Sequence, residues 1–227
     1  MITVFMDYKG KLKKPTWCDY FHSELKILGD KVEKYVKENN VKIDSVVPLL
    51  RGGNIPATYL AYRLKILKIT PVQYKYFFEC KFAELRQIQK VNEDLFDKDA
   101  KLVFLLVEGN HCFGTSASYA AKGLKEQFPN SEIIYAASDM DYNYQDVVKD
   151  AKVSFYGKLQ NDCEECSREQ CEKLGLNFGY FDIFPWENVS EELDTLNMKQ
   201  AEFVDVDVKK KSKFLEKFDL NDLNKKE

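Results

Sequence analysis

The run Leu102-Val103-Phe104-Leu105-Leu106-Val107 has no polar member and gives way at once to the polar stretch Glu108 to Ser116. A strand with one wet face alternates apolar and polar residues. An unbroken apolar run of this length instead fits a strand covered on both faces, as in a parallel sheet sandwiched by helices. The flanking segments repeat that theme. Ser45 to Leu50 is apolar and partly β-branched, breaks at Arg51-Gly52-Gly53, and is followed by a helical stretch that Pro56 opens and that carries Tyr59, Leu60, Arg63 and Leu64. A helix is expected from about Ala117 to Gln127, with strands at Ile133 to Ala137, Lys152 to Tyr156, Thr70 to Phe78 and Phe178 to Phe184. Near the start, Phe21, Leu25, Leu28, Val32 and Val36 keep helical spacing and predict a helix from Trp17 to Glu38. Glu79 to Ala100 is polar and without period, and reads as a long loop.

Strand and helix alternating in this way give the expected fold class, α/β: a largely parallel twisted sheet flanked by helices, with ligands at the carboxyl ends of the strands. Residues 1–200 are expected to form this α/β domain, with a small hood or insertion around 158–187. Residues 201–227, which include Lys209-Lys210-Lys211, read as a charged C-terminal helix or tail.

Charge and composition narrow the partners. The 34 basic and 37 acidic residues nearly cancel, leaving a formal charge of −3 and no electrostatic footprint for nucleic acid or anionic lipid. No apolar run approaches the roughly 18 residues of a membrane span. A small molecule or a protein is the expected partner. Met1 to Tyr8 lacks the features of a signal peptide, so the expected location is the cytoplasm, with reduced thiols.

Glycine is scarce at 10 residues, yet Gly52, Gly53, Gly109 and Gly114 fall just past two of the strands, in segments that lead into helices. Glycine there lets backbone N–H groups approach an anion closely, and the helix start adds partial positive charge. Two such cradles suit a ligand with phosphates at two ends, although a strand-to-helix turn also uses glycine for purely structural reasons. Separately, Cys163-Glu164-Glu165-Cys166 with Cys171 has the spacing of half a zinc knuckle. These three thiols are candidate ligands for a structural Zn²⁺ completed from elsewhere in the chain or from a second chain. The alternative is an exposed helix whose cysteines are incidental.

The segment Val46-Val47-Pro48-Leu49-Leu50-Arg51-Gly52-Gly53-Asn54-Ile55-Pro56-Ala57 resembles the pyrophosphate loop of type I phosphoribosyltransferases, most of all the branch acting on xanthine, guanine and hypoxanthine. Phe104 to Ser116 is similar to the family's phosphoribosyl-diphosphate motif in a degenerate form, and Phe184-Pro185-Trp186-Glu187 looks like its C-terminal signature. The resemblance runs from about Trp17 to Glu187. It implies a pentosyl transfer in which phosphoribosyl diphosphate, bound with Mg²⁺, gives its phosphoribose to a base through an oxocarbenium-like state. Arg51, Gly52 and Gly53 would hold the pyrophosphate; Phe113, Gly114, Thr115 and Ser116 occupy the turn that grips the 5-phosphate.

Within the middle motif, Glu108 takes the position of a carboxylate that meets the ribose hydroxyls, and His111 and Cys112 are the remaining candidates for acid–base work. Three positions depart from the family pattern: Gly109 stands where a second acid belongs, Cys112 where purine enzymes place an aspartate, and Phe113 where a threonine hydroxyl meets phosphate. A thiol is a poor replacement for a carboxylate, and glycine has no side chain to offer a hydroxyl. The strand Tyr135-Ala136-Ala137-Ser138-Asp139 lacks the lysine that purine enzymes use there. Phe181, four residues before Pro185, matches the aromatic that stacks on the base, and Trp186 is the second base-binding candidate. Two readings follow: a phosphoribosyltransferase acting on a purine-like or other base, or a catalytically degenerate protein that binds phosphoribosyl diphosphate or a nucleotide as a regulator or partner. A homodimer is the default assembly.

Overall fold

The structure is a computed structural model that describes residues 11–77, 84–161, 167–176 and 180–188. In chain order its elements are β1 (Lys11–Lys13), α1 (Trp17–Tyr20), a π-helical turn (Phe21–Leu25), α2 (Lys26–Glu38), β2 (Ser45–Leu50), α3 (Asn54–Leu64), β3 (Val72–Phe77) and β4 (Glu84–Gln89). They continue as β5 (Val103–His111), α4 (Thr115–Gln127), β6 (Glu132–Asp141), β7 (Val153–Gln160), α5 (Arg168–Leu174) and β8 (Tyr180–Asp182). Short 3₁₀ turns lie at Glu93–Leu95 and Tyr142–Tyr144. Among the described residues no helix is long and apolar enough to cross a membrane.

The chain divides into two compact units. The larger, residues 18–74 and 87–160, contains most of a six-stranded sheet of order β4-β3-β2-β5-β6-β7, in which β3, β2, β5, β6 and β7 run parallel. This is the α/β sheet expected from the sequence. Successive residues of its central strands supply two cores, because side chains alternate across a sheet. On one face Val47, Phe104, Leu106, Ile133 and Tyr135 pack against Ala117, Ala120, Ala121 and Leu124 of α4. On the other, Val46, Leu105, Val107, Ile134 and Ala136 meet Leu28 and Val32 of α2 and Ala57, Leu60 and Ala61 of α3. Each fully buried Leu or Ile of these layers contributes about 1.5–3 kcal/mol relative to exposure.

Several expectations need correction. The apolar strand does not stop at Val107: β5 continues through Glu108, Gly109, Asn110 and His111, of which Glu108, Asn110 and His111 pair in register with β6 (Glu108↔Ala137, Asn110↔Asp139, His111↔Met140). A backbone ladder satisfies N–H and C=O groups whatever the side chains are, so polar residues extend a strand wherever a neighbouring strand runs on beside them. For the same reason β6 reaches Asp141 and β7 reaches Gln160. The stretch read as a long loop holds β4, beside β3. The first helix is interrupted by the π turn, where Glu24 and Leu25 are buried.

The smaller unit comprises residues 1–17, 75–86 and 161–227. In it β1 pairs in parallel with β8 as a two-stranded sheet (Leu12↔Phe181). The short helix α5 is closed by its own side chains: Ser167 accepts from the Gln170 backbone N–H while the Gln170 side chain accepts from the Ser167 N–H. The charged stretch 201–227 lies outside the described residues.

Candidate functional site

Strands β2 and β5 are parallel neighbours, with Pro48 level with Val107, so the segments that follow them both leave the carboxyl end of the sheet. After β2 the chain turns through Arg51, Gly52 and Gly53 into α3, the peptide between Leu50 and Arg51 being cis. Gly53 fits because it has no side chain: a β-carbon there would collide with the Val107 carbonyl oxygen and lie 2.7 Å from that of Leu49. Gly52 rests against Gly109, whose Cα would be 3.7 Å from an added β-carbon. Arg51 is exposed.

The second turn leaves β5. Gly114 adopts φ +66°, the left-handed region that glycine tolerates, and serves as the N-cap of α4. Its neighbours leave no room: a β-carbon on Gly114 would lie 2.5 Å from His111 Nε2 and would also strike Val147. The Phe113 ring packs edge-on against Tyr144 with centroids 4.8 Å apart. Thr115 and Ser116, the first residues of α4, are partly exposed, as is Cys112.

α3 and α4 share a feature that α5 lacks. Each begins at a glycine and has no side chain capping its first turn. A helix start leaves four backbone N–H groups without intrahelical partners, and the macrodipole gives that end about half a positive charge. Two such ends follow neighbouring strands, an arrangement able to receive anions, and at α3 the Gly53 and Asn54 N–H groups are already donated to the Leu49 and Arg51 carbonyl oxygens.

Beneath the second turn lies a hydrogen-bonded chain. His111 is fully buried. Its Nε2 is 3.0 Å from the Tyr144 carbonyl oxygen, and its Nδ1 is 2.7 Å from the hydroxyl of Tyr135, which is also 2.7 Å from Glu108 Oε2. Burial pushes the Glu108 carboxyl up to about 7, which a hydrogen bond donated by Tyr135 would oppose. Burial likewise pushes His111 down to about 4, with the hydrogen bond to Tyr144 opposing. Tyr135 is raised well above its ordinary value, first by burial and then by Glu108.

Thus Glu108 reaches the site from β5 with one oxygen turned to Tyr135, while His111 supports the Gly114 turn from within and has no exposed surface to offer a substrate. Tyr135 belongs to none of the sequence motifs. The available signal was a tyrosine inside an otherwise apolar strand, since a buried hydroxyl needs a partner.

The remaining candidates belong to the smaller unit. Trp186 stacks on Phe184 (4.5 Å, 9° between planes) and lies 5.6 Å from Trp17. The turn that holds it is closed by Glu187, whose carboxylate accepts from the Phe184 N–H at 2.7 Å. Phe181 is in β8, level with Leu12. Cys163 and Cys166 lie outside the described residues, and Cys171 is buried, its sulfur accepting from Asn161 Nδ2 at 3.4 Å. Among the described residues no group of three His, Cys, Asp or Glu side chains is placed to hold a metal ion.

No protein-family model matches this sequence, and neither does any curated protein. Solved structures do match in fold. A purine phosphoribosyltransferase from Pyrococcus horikoshii OT3 aligns with a TM-score of 0.54 and 16% identity, over 78% of this chain and 95% of that one. A protein of Neisseria gonorrhoeae solved with bound ppGpp gives 0.57 and 17%, over 83% and 95%. The Helicobacter pylori xanthine-guanine-hypoxanthine phosphoribosyltransferase gives 0.53 and 13%, over 81% and 99%. Its sheet and its alignment with these structures give the chain the type I phosphoribosyltransferase fold.

Proposed function

We propose that the chain binds phosphoribosyl diphosphate or a nucleotide across the Arg51–Gly53 and Gly114–Ser116 turns, and transfers phosphoribose to a purine-like or other base. The observation that carries this reading is the pair of uncapped, glycine-started helices that follow adjacent strands. Backbone N–H groups of α4, with the Thr115 and Ser116 hydroxyls, would take the 5-phosphate; the backbone at Arg51 and Gly52 would take the pyrophosphate, the Gly53 N–H being donated to the Leu49 carbonyl oxygen at 2.9 Å, with Arg51 stabilising the charge as it departs. Mg²⁺ would be bound together with the diphosphate, as the resemblance implies.

A second reading, binding without efficient turnover, draws on the same site. No side chain at Gly109 can meet the ribose, one Glu108 oxygen is engaged by Tyr135, and His111 is enclosed. Losing a positioned acid or base typically lowers a rate by about 10²–10⁴. Incubation with phosphoribosyl diphosphate, Mg²⁺ and a panel of bases, with pyrophosphate release measured, separates the two. Binding accompanied by weak or no release on hypoxanthine, guanine and xanthine is expected. Turnover on one of these bases above about 1 s⁻¹ would show that other groups have replaced the missing ones. Failure to bind any phosphoribosyl ligand would remove both readings.

A further inference from the structure

The chain from Tyr144 through His111 and Tyr135 to Glu108 has few ways to place its hydrogens. A carbonyl oxygen only accepts, so the 3.0 Å contact to Tyr144 requires a proton on His111 Nε2. Tyr135 has a single hydroxyl hydrogen but two partners at 2.7 Å, His111 Nδ1 and Glu108 Oε2. One partner receives that hydrogen and the other must donate to the Tyr135 oxygen. If Nδ1 receives it, the imidazole is neutral and Glu108 is a protonated acid. If Glu108 receives it, Nδ1 must carry a proton as well and the ring is an imidazolium. Both arrangements contain one proton more than a neutral histidine beside an ionised glutamate.

We propose that Glu108, Tyr135 and His111 form a proton relay in which Glu108 rests as the neutral acid and becomes a carboxylate by passing its proton inward through Tyr135. In the transfer, the Glu108 proton moves from Oε2 to the Tyr135 oxygen while the Tyr135 proton moves to His111 Nδ1. Atoms and charge balance: a neutral acid and neutral imidazole become a carboxylate and an imidazolium, and nothing is released to solvent. His111 is therefore a positioning residue that acts through Tyr135 and Glu108 without touching a ligand.

The surroundings favour the neutral resting form. Tyr156 of β7 faces the pair with ring centroids 6.0 Å from His111 and 6.2 Å from Tyr135, and the negative charge of Asp139 of β6 keeps the Tyr135 phenol from ionising. The first turn of α4 brings no acidic residue, and Tyr144 presents its carbonyl oxygen. Burial acts on Glu108 and His111 in opposite directions, each toward its uncharged form. Where the proposed function holds, the relay lets the carboxyl beside the sugar gain negative charge when positive charge develops next to it. This consequence rests on the phosphoribosyl reading, whereas the relay itself is a property of the free protein.

The test uses the unliganded protein and so reads the relay separately from ligand binding. Nitrogen NMR of wild type, with His111 assigned by comparison with His22→Asn, is expected to show the neutral Nε2–H tautomer at pH 6. Carbon NMR of labelled glutamate is expected to show Glu108 still largely protonated at that pH. A neutral Nδ1–H ring, or an ionised Glu108 beside a neutral His111 at pH 6, would overturn the proposal. In His111→Leu the Tyr135 hydrogen becomes free to bond the carboxylate, so the Glu108 midpoint should fall by at least one pH unit. If burial alone held the proton, a more apolar neighbour would leave the midpoint unchanged or raise it, and that result also overturns the relay. Should His111→Leu fail to fold, the wild-type spectra decide.

Discussion

Gly53 sits directly against Val107: a β-carbon on residue 53 would run into the Val107 carbonyl oxygen, and into that of Leu49 at 2.7 Å. Both are backbone atoms of paired strands, so neither can swing aside. Gly53→Ala is expected to lose about 1–3 kcal/mol of stability in urea denaturation. Gly52→Ala, whose nearest contact would be ordinary at 3.7 Å, should remain within about 0.5 kcal/mol of wild type. Equal losses would mean that the turn does not approach β5 as described.

Arg51 meets only the end of the ligand that leaves, if the proposed function is right. Arg51→Ala should weaken phosphoribosyl diphosphate by about 1.5–3 kcal/mol, the range of charged hydrogen bonds. Nucleoside monophosphate binding should hold, as read by calorimetry. The same loss for both ligands would point to general damage at the turn.

At Gly114 two penalties coincide. An alanine in the left-handed region costs about 1–2 kcal/mol, and its methyl would press on the His111 ring, 2.5 Å from Nε2. Gly114→Ala should therefore lose more stability than the backbone penalty alone, and should weaken ligands that carry a 5-phosphate. A loss confined to the backbone penalty, with phosphate binding intact, would contradict the packing of His111 under this turn.

The opposed shifts of Glu108 and His111 have a signature in stability against pH. Glu108, raised to about 7 from 4.5, stabilises the folded chain fully below 4.5 and loses that contribution as pH rises through 7. His111, lowered to about 4 from 6.5, contributes above 6.5 and loses that contribution as pH falls through 4. Between about 4.5 and 6.5 the two slopes cancel. Removing one exposes the other: relative to wild type, Glu108→Gln should gain stability with rising pH, by up to about 1.4 kcal/mol per unit. Parallel curves for the two proteins would show that Glu108 is an ordinary carboxylate.

Much of the fold was legible because its signals are local. An apolar run such as Leu102 to Val107 reports coverage on both faces, and a glycine pair after Leu50 reports a tight turn, from a few consecutive residues. The boundaries were not legible. Glu108 to His111 look like loop, yet they are strand because β6 runs on beside them, and β4 lies in a stretch with no period because β3 adjoins it. The site divides in the same way. Gly52, Gly53 and Gly114 could be named from chain order, since a turn is built by neighbours in sequence, and Arg51 from the family resemblance. Tyr135 could not, because it meets His111 and Glu108 from 24 and 27 residues away, through the register of two parallel strands. Chain order determined which residues turn and which run straight. Only the pairing of β5 with β6 decided that an acid, a phenol and an imidazole share a proton, because register sets which side chains stand side by side and burial then sets their charge.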